Sequence, residues 1–276
     1  AASSDYPLRD VYKRQTMNTL EILRPRPHVA EVWLNRPEVR NAFNDGVIAE
    51  LTAAFRELGA DASLRAIVLG GRGKAFCAGA DLSWMARMAG YTWDENRADA
   101  AALAEMLHTI WACPLPVLGR VHGDCYAGGV GLAAVCDVLV ASEAVNFCLS
   151  EARLGLLPAT IGPYVVRALG EQASRRYFTT AERFDARRAA ALGFVHECVP
   201  AEQLDATCAG IVDAWVGNGP AAVQACKRLV QDVAARPVDA ELRAETARRI
   251  ADIRASDEGR EGIAAFLGKR DPAWRS

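Results

Sequence analysis

The sequence predicts a layered α/β fold whose C-terminal third is helical. Three observations predict it. From residue 20 to 140, short apolar runs of strand character alternate with stretches of helical periodicity. Two glycine-rich loops stand directly behind predicted strands, and beyond Glu151 the strand signal nearly stops while apolar residues recur at helical spacing. Short connections between alternating strands and helices call for parallel βαβ units.

Residues 1–16 are polar and unpatterned and are set apart as a leader outside the fold. Residues 20–23 and 29–34 form a hairpin around Pro25 and Pro27. A helix over 45–58 has an apolar stripe, and 66–69 is a short buried strand. The pattern continues with a helix over 98–111, a strand over 116–121, a short helix from Gly128 and a strand over 138–140. One late strand signal covers 194–199. Helical patterns otherwise fill 161–169, 172–179, 203–215, 221–234, 238–255 and 259–267, with Asn218-Gly219-Pro220 as a turn. The expected organisation is a leader over 1–16, an α/β core over 17–200 and a helical subdomain over 201–276.

The 276 residues are 51% hydrophobic and 24% charged, the composition of a globular protein with a sizeable core. A formal net charge of -2 with interspersed signs gives no basic field for nucleic acid. Cys77, Cys113, Cys125, Cys136, Cys148, Cys198, Cys208 and Cys226 are widely separated, with no Cys-x-x-Cys pair and no histidine at ligand spacing. Most of them sit in apolar segments and read as small buried hydrophobes in a reducing cytoplasm, with no metal site. No apolar run approaches the roughly 20 residues of a membrane span.

The first glycine loop runs from Gly70 through Gly73, Gly79 and Ala80 to Leu82, and the second from Gly123 through Gly128 and Gly129 to Gly131. Small residues admit a ligand close to the backbone, and a helix start leaves amide N–H groups unpaired. Two such loops could hold one oxyanion between them, although each alone is equally a tight turn. A phosphate loop is excluded because Ala75, not Ser or Thr, follows Gly73-Lys74. A dinucleotide fingerprint at Gly129-Val130-Gly131 fails because Asp137 and the next strand arrive before a crossover helix can form. No Gly-x-Ser-x-Gly elbow supports a serine nucleophile.

Six segments, taken in order, resemble the crotonase (enoyl-CoA hydratase/isomerase) family. They are Asn35 to Ala42, Phe76 to Leu82, Gly128-Gly129, Cys136-Asp137, Ser150-Glu151 with Leu154-Gly155-Leu156-Leu157-Pro158, and Ala191 to Val195. The resemblance runs from about Met17 to the C-terminus and implies a layered ββα spiral with a C-terminal helical subdomain. It further implies an acyl-CoA enzyme needing no cofactor beyond the coenzyme A of its substrate. It places the oxyanion donors at the N–H groups of Ala80 and Gly128 and a general acid/base at Glu151. Arg40, Ala42, Ala78, Asp81, Leu82 and Gly131 fall at positions that line the substrate and CoA pocket. Phe266 and Lys269 resemble residues that reach adenine and phosphates, often across a subunit boundary in a trimer or dimer of trimers.

Gly131 departs from the two-glutamate hydratases, which carry their other acid there. The surrounding residues look most like bacterial 3-methylglutaconyl-CoA hydratases, in which glycine is usual at this place. Hydration of a branched, carboxylated 2-enoyl-CoA follows as the expectation, with an isomerase or decarboxylase as the alternative and a non-catalytic CoA-binding protein as a remote one. A distal carboxylate would want a cation, for which Arg87, Arg97 and Arg153 are candidates. Of the histidines only His122 lies near the loops, where Asp124 and Tyr126 also stand in supporting positions.

Overall fold

The computed structural model describes residues 14–275. Its larger sheet has seven strands: β1 (Arg14–Thr16), β2 (Leu20–Arg26), β3 (Val29–Leu34), β4 (Ala66–Gly71), β6 (Val117–Val121), β8 (Val138–Ser142) and β11 (Glu197–Val199), in the order β1-β2-β3-β4-β6-β8-β11. The first three strands pair antiparallel and the strands from β3 onward pair parallel. A smaller sheet, in the order β10-β9-β7-β5, contains β5 (Ala75–Cys77), β7 (Asp124–Tyr126), β9 (Asn146–Cys148) and β10 (Arg183–Asp185).

The chain passes three times from a strand of the large sheet to a strand of the small one and on into helix. β4 and β5 lead to α2 (Leu82–Met88) and α3 (Trp93–Trp111), β6 and β7 lead to α4 (Gly128–Ala134), and β8 and β9 lead through a 3-10 turn (Glu151–Leu154) to α5 (Gly162–Leu169). This is the expected ββα spiral. The helix α1 (Asp45–Ala60) precedes it, capped by Asn44, whose side chain accepts the Val47 N–H at 2.9 Å. Residues of α1 and α3 make up much of one core cluster with the strands.

Strand β4 is buried at every position. Ile67 and Leu69 join the main core, while Ala66 and Val68 pack with Leu118, Val140, Leu204, Cys208 and Val212 in a second cluster. The last three belong to α8 (Leu204–Gly217), so both faces of the sheet centre are covered and the strand reads as an unbroken apolar run. The remaining helices are α6 (Glu171–Thr180), α7 (Ala186–Ala191), α9 (Pro220–Val233), α10 (Ala240–Ala255) and α11 (Asp257–Leu267).

Several elements differ from the sequence expectation. Residues 14–16 pair with β2, so this part of the expected leader belongs to the sheet, whereas 1–13 lie outside the described residues. The hairpin turns after Arg26, at Pro27 and His28, with His28 in the left-handed region at φ 68°. The capping box of Thr92 and Glu95 starts α3 at Trp93, ahead of its apolar stripe. The late strand signal shrinks to Glu197–Val199 because Phe194 and Val195 enter the core as a loop. Pro220, expected in the turn with Asn218 and Gly219, is instead the first residue of α9, where its missing N–H costs nothing.

Candidate active site

Three loops leave one edge of the small sheet. Strands β5, β7 and β9 are parallel neighbours, so the segments after Cys77, Tyr126 and Cys148 emerge together at their C-terminal ends, where open α/β sheets place ligands. The second and third are tied directly, as the Ala127 N–H donates to the Cys148 carbonyl at 2.7 Å.

The first loop carries Ala80. Its neighbours bind Phe43: the Phe43 N–H donates to the Gly79 carbonyl at 2.6 Å and the Asp81 N–H to the Phe43 carbonyl at 2.8 Å. In a parallel bridge of this kind the N–H of the residue between them points the other way. No described group accepts the Ala80 N–H. The second loop carries Gly128, first residue of α4, whose N–H is one of the orphan donors of a helix start. The residue before it, Ala127, stands at φ 47° and ψ -118°, a strained conformation for a residue with a side chain, and this sharp turn aims the Gly128 amide.

The two donors are neighbours. A Cβ built on Gly79, which has φ 93°, would lie 2.9 Å from the Ala127 Cβ and 3.8 Å from the Gly128 nitrogen. Only glycine permits both that conformation and that approach. Ala80 and Gly128 thus present two unpaired amides in one place, the requirement for holding an oxyanion.

The first loop is braced from behind by residues that the sequence reading did not single out for a role. The Asn41 side chain donates to the carbonyls of Arg72 at 2.8 Å and Ala75 at 2.9 Å, and accepts the Arg36 N–H at 2.9 Å. Arg36 donates to the Ala42 carbonyl at 2.8 Å and pairs with the Asp81 carboxylate at 2.7 Å. Asp81 also accepts the backbone and hydroxyl of Ser83 and caps α2. These hydrogen bonds from Ser83 and Arg36 hold its carboxyl at about 2. The Asn35–Ala42 motif carried this signal, but the two carbonyls that Asn41 braces lie more than 30 residues away and could not be read from it.

Glu151 opens the 3-10 turn three residues after β9. It is half-buried, and its Oε2 is enclosed without a hydrogen-bond partner among the described residues. Burial raises its pKa above the ordinary glutamate value, which suits a carboxyl that gives and takes a proton near neutrality.

Gly131 lies one turn after Gly128 on the same side of α4. A Cβ there would fall 2.1 Å from the Cγ2 and 2.5 Å from the Cβ of Ile161, so the fold admits no side chain at 131 beside that residue. Ala42 is buried, Ala78 donates its N–H to the Arg40 carbonyl at 3.0 Å, and Arg40 is exposed in the left-handed region at φ 54°. Leu82 is 83% exposed at the start of α2. Phe266 and Lys269 are exposed at the end of α11, a helix in contact with α9 and α10.

The three candidate arginines have partners. Arg87 pairs with Asp45 at 2.7 Å, Arg97 lies over the Trp93 ring, and Arg153 donates to the Ala181 carbonyl. His122 donates from Nε2 to the Gly73 carbonyl at 2.9 Å, and burial lowers its pKa. It steadies the turn before β5. Burial, with the Asp124 carboxyl nearby, raises the pKa of the Tyr126 hydroxyl. Burial drives the Cys77 thiol up to about 12, consistent with a structural role. No group of three or more His, Cys, Asp or Glu among the described residues could hold a metal ion. No helix among them is long and apolar enough to cross a membrane.

The arrangement can hold a developing oxyanion on two amides and move a proton with one carboxylate. Comparison with known proteins places the chain in a family. Residues 26–276 match the family model described as enoyl-CoA hydratase/isomerase. An enoyl-CoA hydratase from Alternaria alternata is 32% identical over 261 residues, covering 93% of this chain and 84% of that one. The crystal structure of an enoyl-CoA hydratase from Shewanella pealeana superposes with a TM-score of 0.87 at 36% identity, covering 97% of each chain. The 2,3-dehydroadipyl-CoA hydratase of Escherichia coli is 29% identical, with 92% of this chain and 98% of that one covered.

Proposed function

We propose that this chain, which belongs to the enoyl-CoA hydratase/isomerase family and shares its hydratase-type activity on CoA thioesters, hydrates a branched 2-enoyl-CoA. The substrate we name is 3-methylglutaconyl-CoA, an intermediate of leucine or isoprenoid-acid breakdown. The observation that carries the reading is the pair of unpartnered amides, Ala80 and Gly128, at the sheet edge from which the half-buried Glu151 also rises.

The thioester carbonyl accepts from both amides. Glu151 as carboxylate takes a proton from water, whose oxygen bonds to the β-carbon. The π electrons move to the thioester oxygen, where the amides stabilise the enolate; such a donor contributes about 3–4 kcal/mol. The proton now on Glu151 passes to the α-carbon, the enolate collapses, and the carboxylate returns. One water is added in total, and the coenzyme A carried by the substrate is the only cofactor the reaction calls on.

Arg40, Ala42, Ala78, Asp81, Leu82 and Gly131 line the substrate and CoA path in this reading. For Asp81 it is the backbone that faces the path, since its carboxylate is committed to Arg36 and Ser83. Phe266 and Lys269 reach the nucleotide. Exposed apolar residues of the last helices, including Val230, Ile250, Ile263, Phe266 and Leu267, support self-association. In this reading the assembly is a homotrimer or dimer of trimers and the compartment is the cytoplasm. Light scattering on the purified protein tests the assembly.

The test of function is a mass-resolved assay with 3-methylglutaconyl-CoA, crotonyl-CoA and a 3-enoyl-CoA, run beside Glu151→Gln. Gain of one water on methylglutaconyl-CoA, lost in the variant, is the expected result. Gly131 favours a second reading, since one base is enough to move a proton between carbons. Double-bond migration, or loss of carbon dioxide without gain of water, would establish that isomerase or decarboxylase reading in place of the first.

A further inference from the structure

The peptide group that carries the Ala80 amide is held from behind. Gly79 supplies its carbonyl and Ala80 its N–H, and across a trans peptide the two point in opposite directions. The Gly79 carbonyl accepts the Phe43 N–H at 2.6 Å. That N–H shares a peptide group with the Ala42 carbonyl, which accepts from Nη1 of Arg36 at 2.8 Å. A guanidinium, two peptide groups and the unpaired Ala80 N–H thus stand head to tail in one hydrogen-bonded row, with the cation at the end away from the oxyanion site.

Arg36 is itself fixed at both ends. Its backbone is tied to Asn41, whose side chain accepts the Arg36 N–H and whose own N–H donates to the Arg36 carbonyl, each at 2.9 Å. At the far end Nη2 pairs with the Asp81 carboxylate at 2.7 Å, and the other oxygen of that carboxylate is taken up by the Ser83 N–H and hydroxyl. The Arg36 and Asp81 side chains are only 17% and 7% exposed, so solvent screens the guanidinium little.

We propose that Arg36 is a positioning residue that orients and polarises the Ala80 N–H through this row. The inference rests on the reading that the Ala80 and Gly128 amides hold the thioester oxygen. Each peptide dipole in the row turns its positive end toward that oxygen and its negative end toward the guanidinium, so the cation reinforces both. Hydrogen bonds aligned in this way strengthen one another by about 10–30% per bond. The fork of the guanidinium matters as much as its charge: one arm holds the Ala42 carbonyl while the other holds the residue that follows Ala80. Arg36 touches neither substrate nor reacting atoms and acts only through Ala80.

The test compares Arg36→Ala, Arg36→Gln and Arg36→Lys with the parent chain and with Gly128→Ala. Three readouts are taken: the melting temperature, kcat and KM on an enoyl-CoA that the parent turns over, and the ultraviolet enolate band of bound acetoacetyl-CoA at fixed pH. That band reports stabilisation of an enolate by the amides without any turnover. Complete loss of one donor costs about 10²- to 10³-fold in kcat, and a donor left in place but misaimed costs less. Arg36→Ala and Arg36→Gln are therefore expected to lower kcat by roughly tenfold, with KM changed far less and the enolate band weakened. Arg36→Lys keeps the charge without the fork and is expected to recover part of both losses. A purely structural arginine would lower the melting temperature alone, so folded variants that keep kcat and the enolate band within about twofold of the parent would overturn the proposal. If Arg36→Ala does not fold, Arg36→Lys and Arg36→Gln decide. A band weakened by Gly128→Ala but by no Arg36 variant would overturn the role of Arg36 and leave the oxyanion site standing. A band unchanged in all of them would overturn the oxyanion reading, and the inference with it.

Discussion

Replacing Gly128 with alanine perturbs the oxyanion site by a fraction of an ångström and leaves its composition intact. The backbone of Gly128 is helical and tolerates a side chain, so any effect comes from space. The new Cβ would lie 2.9 Å from both Cδ2 and Cε2 of Phe43, a ring 1% exposed whose backbone already holds Gly79 and Asp81. Ordinary contact begins near 3.4 Å, so either the ring or the start of α4 gives by about half an ångström. Movement of the ring pulls on the strand segment that aims Ala80, and movement of the helix shifts the Gly128 amide itself. Loss of one oxyanion donor costs about 10²- to 10³-fold in kcat, roughly 2.7–4 kcal/mol. We expect a fall of that order in kcat with KM changed far less, because the contact strengthens as charge develops on the oxygen. The assay follows loss of the conjugated thioester absorbance alongside thermal melting. A variant that melts like the parent and keeps kcat within threefold would refute the claim that this amide carries the enolate.

Other outcomes follow from the same geometry. Glu151 has a raised pKa in the folded chain, so the fold binds its proton more tightly than the unfolded chain does, and ionising it at higher pH costs stability. Activity should fall as pH drops through a value above the ordinary glutamate range, and Glu151→Gln should melt higher than the parent at neutral pH, with the gap closing as pH falls toward the unfolded glutamate value. Asp81 has the opposite sign: its carboxyl is held at about 2, so its contribution is present above the usual value of 3.8 and is lost between there and 2. Asp81→Ala should cost at least the ~1 kcal/mol of a helix cap, measured by urea unfolding. Lys227, whose side chain is 7% exposed, pairs with Asp137 at 2.7 Å. Lys227→Ala should destabilise by about 3 kcal/mol in the same assay, because it leaves that carboxylate without its cation. Lys269→Ala should raise KM for the full CoA thioester roughly two- to fivefold, as an exposed charge contact does, and leave a truncated thioester lacking the nucleotide unchanged.

What could be read in the chain divides by the range of the interactions involved. The two glycine loops stood out as local clusters and Glu151 as a residue behind a strand end, while the roles proposed for them came from the family resemblance. The α/β order was legible because β4 and its neighbours are buried on both faces and show as apolar runs. The small sheet was not, since β5, β7 and β9 are three residues each, too short for an alternation to appear. Yet these strands bring the three loops to one edge, so the site depends on an element that periodicity cannot show. Asn41 and Ile161 make the same point at the level of side chains. Asn41 braces carbonyls more than 30 residues away, and Ile161 meets Gly131 across two helices. From the sequence, Gly131 is a missing acid. In the fold it is one half of a packed contact, which makes the absence of a second carboxylate a feature the core enforces: restoring an acid at 131 alone should disrupt packing before it could add chemistry.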